Sequence, residues 1–161
     1  MSSSASAAIP LLDPAQLKRI EAVHRGYLYQ HLYAAACLML AQKAGATSVV
    51  VERDEDVEII LPNRHLYIQV KTRSTSLSAA DIKGAMERFE ALRLQHQSGE
   101  RTGEASFVVV SNIQPSASLA EKAMQPDWPS DVTLRWPGCS ASADPALPTP
   151  WTDIIEAVRE C

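Results

Sequence analysis

Cysteine is scarce in this sequence. Three residues, Cys37, Cys139 and Cys161, are spread over 161 positions, and their odd number and wide spacing argue against a disulfide framework or a zinc ribbon and favour a reducing compartment. Glycine is nearly as sparse, with six in the chain, and none builds the glycine-rich run that cradles phosphates. No apolar run is long enough to span a bilayer: the longest, residues 32–41, is half the ~20 residues required. Residues 1–8 are small and polar, without the basic start and apolar stretch of a signal peptide. Ser74 and Ser111 have no His or Asp partner at a recognisable spacing, which argues against nucleophilic hydrolase chemistry. His24 and His31 are seven apart on one helical face, a separation of ~10.5 Å, too far to share a metal directly. Positive charge is also in short supply: 15 Lys and Arg against 19 Asp and Glu leave a net −4, which taken alone counts against a nucleic-acid partner. These absences describe a soluble, cytoplasmic protein with no membrane partner.

What is present is a core. With 46% hydrophobic residues the chain is long enough to form one globular domain, burying about 70% of the surface its unfolded form exposes. Composition predicts a flexible tail over residues 1–12, disordered in its first eight, and a single domain over 13–161. Asp13-Pro14 opens a helix. Its apolar period runs to Ala44 before Gly45, longer than the usual ~8–20 residues of a globular helix, so two helices or a bend near Arg25-Gly26 are expected. The period then changes to that of strands, predicted at 48–52, 56–61 and 66–71, the last two joined by a turn at 62–65. A capping box from Ser78 to Asp81 starts a helix ending near Gln97. A buried strand at 105–110, a short helix at 116–124, a strand at 132–136, a Pro- and Ser-rich connector at 137–150 and a final helix from Thr152 complete an α/β chain with a mixed sheet flanked by helices.

Strand alternation decides which side chains can act together. In the third predicted strand Leu66, Ile68 and Val70 share one face, and Tyr67, Gln69 and Lys71 the other. A hairpin turn at 62–65 sets Asp56 at the same end of the sheet as Gln69 and Lys71. An acid, an amide and an amine therefore meet at one edge.

Asp56, twelve intervening residues and then Gln69-Val70-Lys71, on an αβββαβ core, resemble the PD-(D/E)XK or restriction-endonuclease-like nucleases, in the variant where Gln replaces the second acid. The chain is more closely similar to the N-terminal double-stranded-DNA endonuclease domain of CD-NTase-associated and related NTPase-linked anti-phage effectors. That resemblance rests on Gly26-Tyr27-Leu28-Tyr29-Gln30, Val51-Glu52, Glu55-Asp56-Val57 and Ile68-Gln69-Val70-Lys71, and covers roughly residues 25–112. It implies an endonuclease of low sequence specificity dependent on Mg²⁺, with Mn²⁺ as a substitute. Asp56, the amide oxygen of Gln69 and the carbonyl of Val70 would bind the metal, Lys71 would serve the attacking water, and Gln30 and Glu52 would support the site. It also implies a larger or oligomeric effector with a C-terminal sensor or NTPase module.

Segment by segment the charge is less forbidding: residues 1–48 carry +2, 49–62 carry −4, 63–103 carry +3 and 104–161 carry −5. An acidic stretch at the expected metal site lies between basic ones, and Arg73, Arg64 and Lys83, followed by Arg88 and Arg93, are candidate phosphate contacts on double-stranded DNA. Helix-surface ion pairing is the alternative for the helical members of that set. The amide at position 69 keeps a second reading open, a nuclease fold without catalysis that binds nucleic acid or a partner protein.

Overall fold

The computed structural model describes residues 13–139 and 144–160; the expected flexible tail over 1–12 lies outside them. Helix α1 (Pro14–Ala41) is followed by β1 (Ser48–Val51), β2 (Val57–Leu61) and β3 (Arg64–Lys71), then α2 (Ala79–Gln97), β4 (Glu104–Ser111), α3 (Ala117–Ala123), β5 (Val132–Arg135) and α4 (Ile154–Glu160).

Asp13 caps α1, its side chain accepting from Ala15 N–H, with Pro14 in the first turn where a missing N–H costs nothing. Two helices or a bend are expected near Gly26; the helix is one uninterrupted element of 28 residues, not two. Gly26 serves a different purpose: a Cβ there would meet Thr72 Oγ1 at 3.1 Å, so the glycine lets α1 pass close to the end of β3. After Ala41 the chain turns through Gly45 at φ +73°, with Ala46 N–H donating to Ala41 O at 2.9 Å.

The five strands form one sheet in the order β1-β2-β3-β4-β5. β1, β2 and β3 are antiparallel neighbours, while β3, β4 and β5 are parallel. This is the mixed, helix-flanked sheet of a restriction-endonuclease-like α/β fold. Side-chain alternation along β3 separates two cores. On one face Leu66, Ile68 and Val70 pack with Val57, Ile59, Val108 and Val110 against Tyr29, Tyr33 and Cys37 of α1. On the other, Tyr67, Phe107 and Val109 meet Ile82, Ala85, Phe89 and Leu92 of α2. Tyr29 and Tyr33 donate their hydroxyls to Trp151 O at 2.8 Å and Pro148 O at 3.0 Å, so the far end of the chain is tied onto α1. The capping box of α2 forms as expected, Asp81 Oδ2 accepting from Ser78 N–H at 2.8 Å.

Candidate active site

The β2–β3 register pairs Val57 with Ile68, which brings Asp56, the residue before β2, level with Gln69. The loop from β1 to β2 closes through Glu52 N–H donating to Asp56 O at 3.1 Å. Glu52 itself lies at φ +55°, the one non-glycine in the left-handed region among the described residues, a conformation that costs energy and is met most often at functional loops. A cavity of about 610 Å³ opens above this end of the sheet, lined by Tyr27 and Gln30 of α1, the loop from Glu52 to Asp56, the β3 end from Gln69 to Arg73, and Arg88 of α2.

Inside it runs a connected polar chain. Glu55, whose carboxylate has 0% exposure, accepts from Arg88 Nε at 2.7 Å and Arg88 Nη2 at 3.2 Å. Arg88 Nη2 also donates to Gln69 Oε1. The amide nitrogen of Gln69 donates to Asp56 Oδ2, which accepts from Val70 N–H at 2.6 Å as well. Lys71 stands next along β3, opposite Ser111 of β4.

Burial dominates the ionisation of these groups. It pushes the carboxyl of Asp56 up, against the Val70 N–H and the Lys71 and Arg88 charges that favour the carboxylate. It pushes Glu55 up despite Arg88, and it pushes the Lys71 amine down despite the attraction of Asp56. The Arg88 guanidinium is held in its charged form chiefly by the hydrogen bond to Glu55. Desolvation thus disfavours the charged forms of an acid and an amine in one cleft, a perturbation that marks a candidate functional site.

The expected site residues separate into two groups. Asp56, Gln69, Val70, Lys71, Gln30, Glu52 and Arg73 line this one cavity. Arg73 is already engaged, pairing with Asp81 Oδ1 at 2.6 Å. Glu52 is close to His31 Nε2 at 3.4 Å. Arg64 is at the opposite end of β3, ~23 Å along the strand from Lys71, in an ion pair with Asp144 at 2.7 Å; the structure does not bring it to the site. Nor does it bring Lys83, which is on the α2 surface 3.9 Å from Glu87. Arg93 is bidentate to Asp131 and lies over the Phe107 ring. Sequence reasoning passed over the partnership of Arg88 with Glu55. The two are separated by 33 positions, and only the fold, laying α2 across the 52–56 loop, pairs them.

Among the described residues no group of three or more His, Cys, Asp or Glu is arranged to hold a metal. The cleft is lined by the carboxylates of Glu52, Asp54, Glu55 and Asp56, the amides of Gln30 and Gln69 and main-chain carbonyls, with Glu55 paired to Arg88 and Asp54 to Arg101. Hard oxygen donors of this kind suit Mg²⁺, which keeps several of its own waters and is completed by substrate phosphate. The half-buried Asp56 carboxylate, its affinity for a proton raised by desolvation, is a negative charge that the protein only partly compensates. The amide of Gln69 turns its nitrogen toward Asp56, not its oxygen.

Among the described residues no helix is long and apolar enough to cross a membrane. Compared with known families, residues 21–150 match the model described as Cap4, dsDNA endonuclease domain. No curated protein matches the chain, and no solved structure does.

Proposed function

Because the chain belongs to the Cap4 dsDNA endonuclease domain family, and so is a DNA endonuclease domain, we propose that the cleft around Asp56 and Lys71 hydrolyses the phosphodiester backbone of double-stranded DNA with a divalent metal, Mg²⁺ or Mn²⁺. The observation that supports this most is the register of β2 on β3. It sets a half-buried carboxylate, a buried amide and a half-buried amine side by side at the mouth of one cavity.

In this reading Asp56 holds the cation, with the Gln69 amide oxygen and the Val70 carbonyl as neutral ligands. The bound metal supplies Lewis acidity at the phosphoryl oxygen and a more acidic water. Lys71 orients the attacking water and takes its proton; burial lowers the affinity of the amine for that proton and so fits it to the task. Its charge, once protonated, offsets the negative charge growing on phosphorus. Water oxygen joins phosphorus as the bond to the leaving sugar oxygen breaks. Gln30 and Glu52 support the site from α1 and the β1–β2 loop, and Arg73 leaves Asp81 for a flanking phosphate. Contacts of this kind address the backbone and carry no base readout, so cleavage is of low sequence specificity.

Family membership supports a wider proposal, that the domain is a cytoplasmic effector of anti-phage defence. An oligomer, or a C-terminal sensor or NTPase module, would then bring two clefts to opposite strands. A second reading, a DNA-binding module without catalysis, draws on the orientation of Gln69, whose oxygen is turned from Asp56. Covalently closed plasmid incubated with the protein in Mg²⁺ or Mn²⁺, and in EDTA, separates the two. Metal-dependent nicking and linearisation are the expected outcome. Salt-sensitive retardation of DNA that is never cut would establish the binding module.

A further inference from the structure

We propose that Arg88 is a positioning residue that makes metal binding depend on DNA, by holding the amide of Gln69 in the orientation that cannot ligate. The inference rests on the proposed metal-dependent cleft. Gln69 is 5% exposed and its amide is hydrogen-bonded on both sides, the oxygen receiving from Arg88 and the nitrogen donating to Asp56. Interchanging the two ends would set the amide N–H₂ against a guanidinium and its oxygen against a carboxylate, donor on donor and acceptor on acceptor. The neighbours therefore dictate the orientation. A cation on Asp56 requires the reverse, an amide oxygen beside the carboxylate.

Arg88 is suited to release the amide when DNA arrives. Its side chain is 47% exposed at the cavity wall, and two of its nitrogens are anchored to the fully buried Glu55. Among the described residues Nη1 has no hydrogen-bond partner. A backbone phosphate entering the cleft competes for this half-exposed fork, for which phosphate is a stronger partner than a neutral amide oxygen. Once Nη2 turns to phosphate, the Gln69 oxygen loses its donor and the amide is free to rotate toward a cation on Asp56. Glu55 keeps Arg88 charged and in reach throughout. Linkage then requires that DNA tighten metal binding and that metal tighten DNA binding by the same factor.

The test compares the parent with Arg88→Lys and with the double variant Glu55→Gln, Arg88→Met, which removes both partners and leaves no unpaired buried charge. All three carry Lys71→Ala to stop turnover. Mn²⁺ affinity without DNA is read by calorimetry, and duplex affinity by fluorescence anisotropy in EDTA and in Mn²⁺. The parent is expected to bind duplex about tenfold more tightly with Mn²⁺, within the ~5- to 150-fold range of coupled sites. Both variants are expected to bind Mn²⁺ alone more tightly than the parent and to lose most of the coupling. Arg88→Lys keeps a positive partner for Glu55, so its result stands should the double variant fold poorly. Equal coupling in parent and variants, or no gain in Mn²⁺ affinity, overturns the role of Arg88 while leaving the metal site intact. A parent that takes up no Mn²⁺ with or without DNA overturns the metal-dependent reading itself.

Discussion

Asp56 and Lys71 stand close together in a half-buried setting that disfavours the charge on each. For Asp56 the consequence for stability has a definite sign. Its folded-state affinity for a proton exceeds that of the unfolded chain, so the folded state is relatively weakened as pH rises through that window. Asp56→Asn keeps an oxygen to accept from Gln69 and Val70 and removes the half-buried charge. In EDTA at neutral pH the variant should melt roughly 2 °C above the wild type, with the gain vanishing below the raised pKa of Asp56, as thermal denaturation at neutral and acid pH would show; a lower melting temperature at neutral pH would contradict it. Cleavage should follow the opposite course. Activity needs the Asp56 carboxylate, and a proton there competes with the cation, so raising the Mg²⁺ concentration should move the acid limb of the pH–rate profile to lower pH. Lys71 takes the water's proton only as the neutral amine, so activity should go on rising with pH through the ionisation of a lysine whose hold on its proton burial has weakened.

At the scale of elements, the close pass of α1 over the end of β3 positions Gln30 and Tyr27 over the cleft, and Gly26 permits it. In Gly26→Ala the new Cβ meets a rotatable hydroxyl on Thr72 at 3.1 Å, and a helix-propensity gain of ~1 kcal/mol offsets the crowding. Gly26→Val offers no such escape and should lose ~1–3 kcal/mol in urea unfolding, with cleavage falling alongside. Gly103 is more constrained. It has φ +78°, and a Cβ there would come within 2.9 Å of the Asn63 carbonyl at the β2–β3 turn. Gly103→Ala should therefore cost ~1–3 kcal/mol, read in the same denaturation experiment. The two glycines show where sequence patterns are ambiguous. Period-two alternation in 56–61 and 66–71, with turn residues at 62–65 between, makes the hairpin and the placing of Asp56 beside Gln69 legible, although β3 begins two residues earlier, at Arg64, inside the expected turn. Gly26 reads in sequence as a break in a long helix, because nothing local reveals that Thr72 lies against it.

Across the whole molecule the net charge is −4, acids and bases both line the cleft, and most of the arginines are already committed. Arg93, Arg64 and Arg101 hold Asp131, Asp144 and Asp54, tying loops and connectors to the sheet. Charge by segment identified the basic stretches but not which members are free, since ion pairs such as Arg64 with Asp144 span 80 positions. Only Arg73 and Arg88 among the candidate phosphate contacts reach the cavity. Arg73→Ala should lower the salt dependence of duplex binding by about one counterion, whereas Arg64→Ala should leave the slope unchanged; equal effects in anisotropy titrations over a salt series would contradict the placement of the cleft.

Single-turnover cleavage of supercoiled plasmid in Mg²⁺ tests whether Asp56 and Lys71 perform hydrolysis in one cleft. With Asp56→Ala and Lys71→Ala both folded by circular dichroism, nicking is expected to fall about a hundredfold or more in each. Nicking at the wild-type rate in both variants would contradict it.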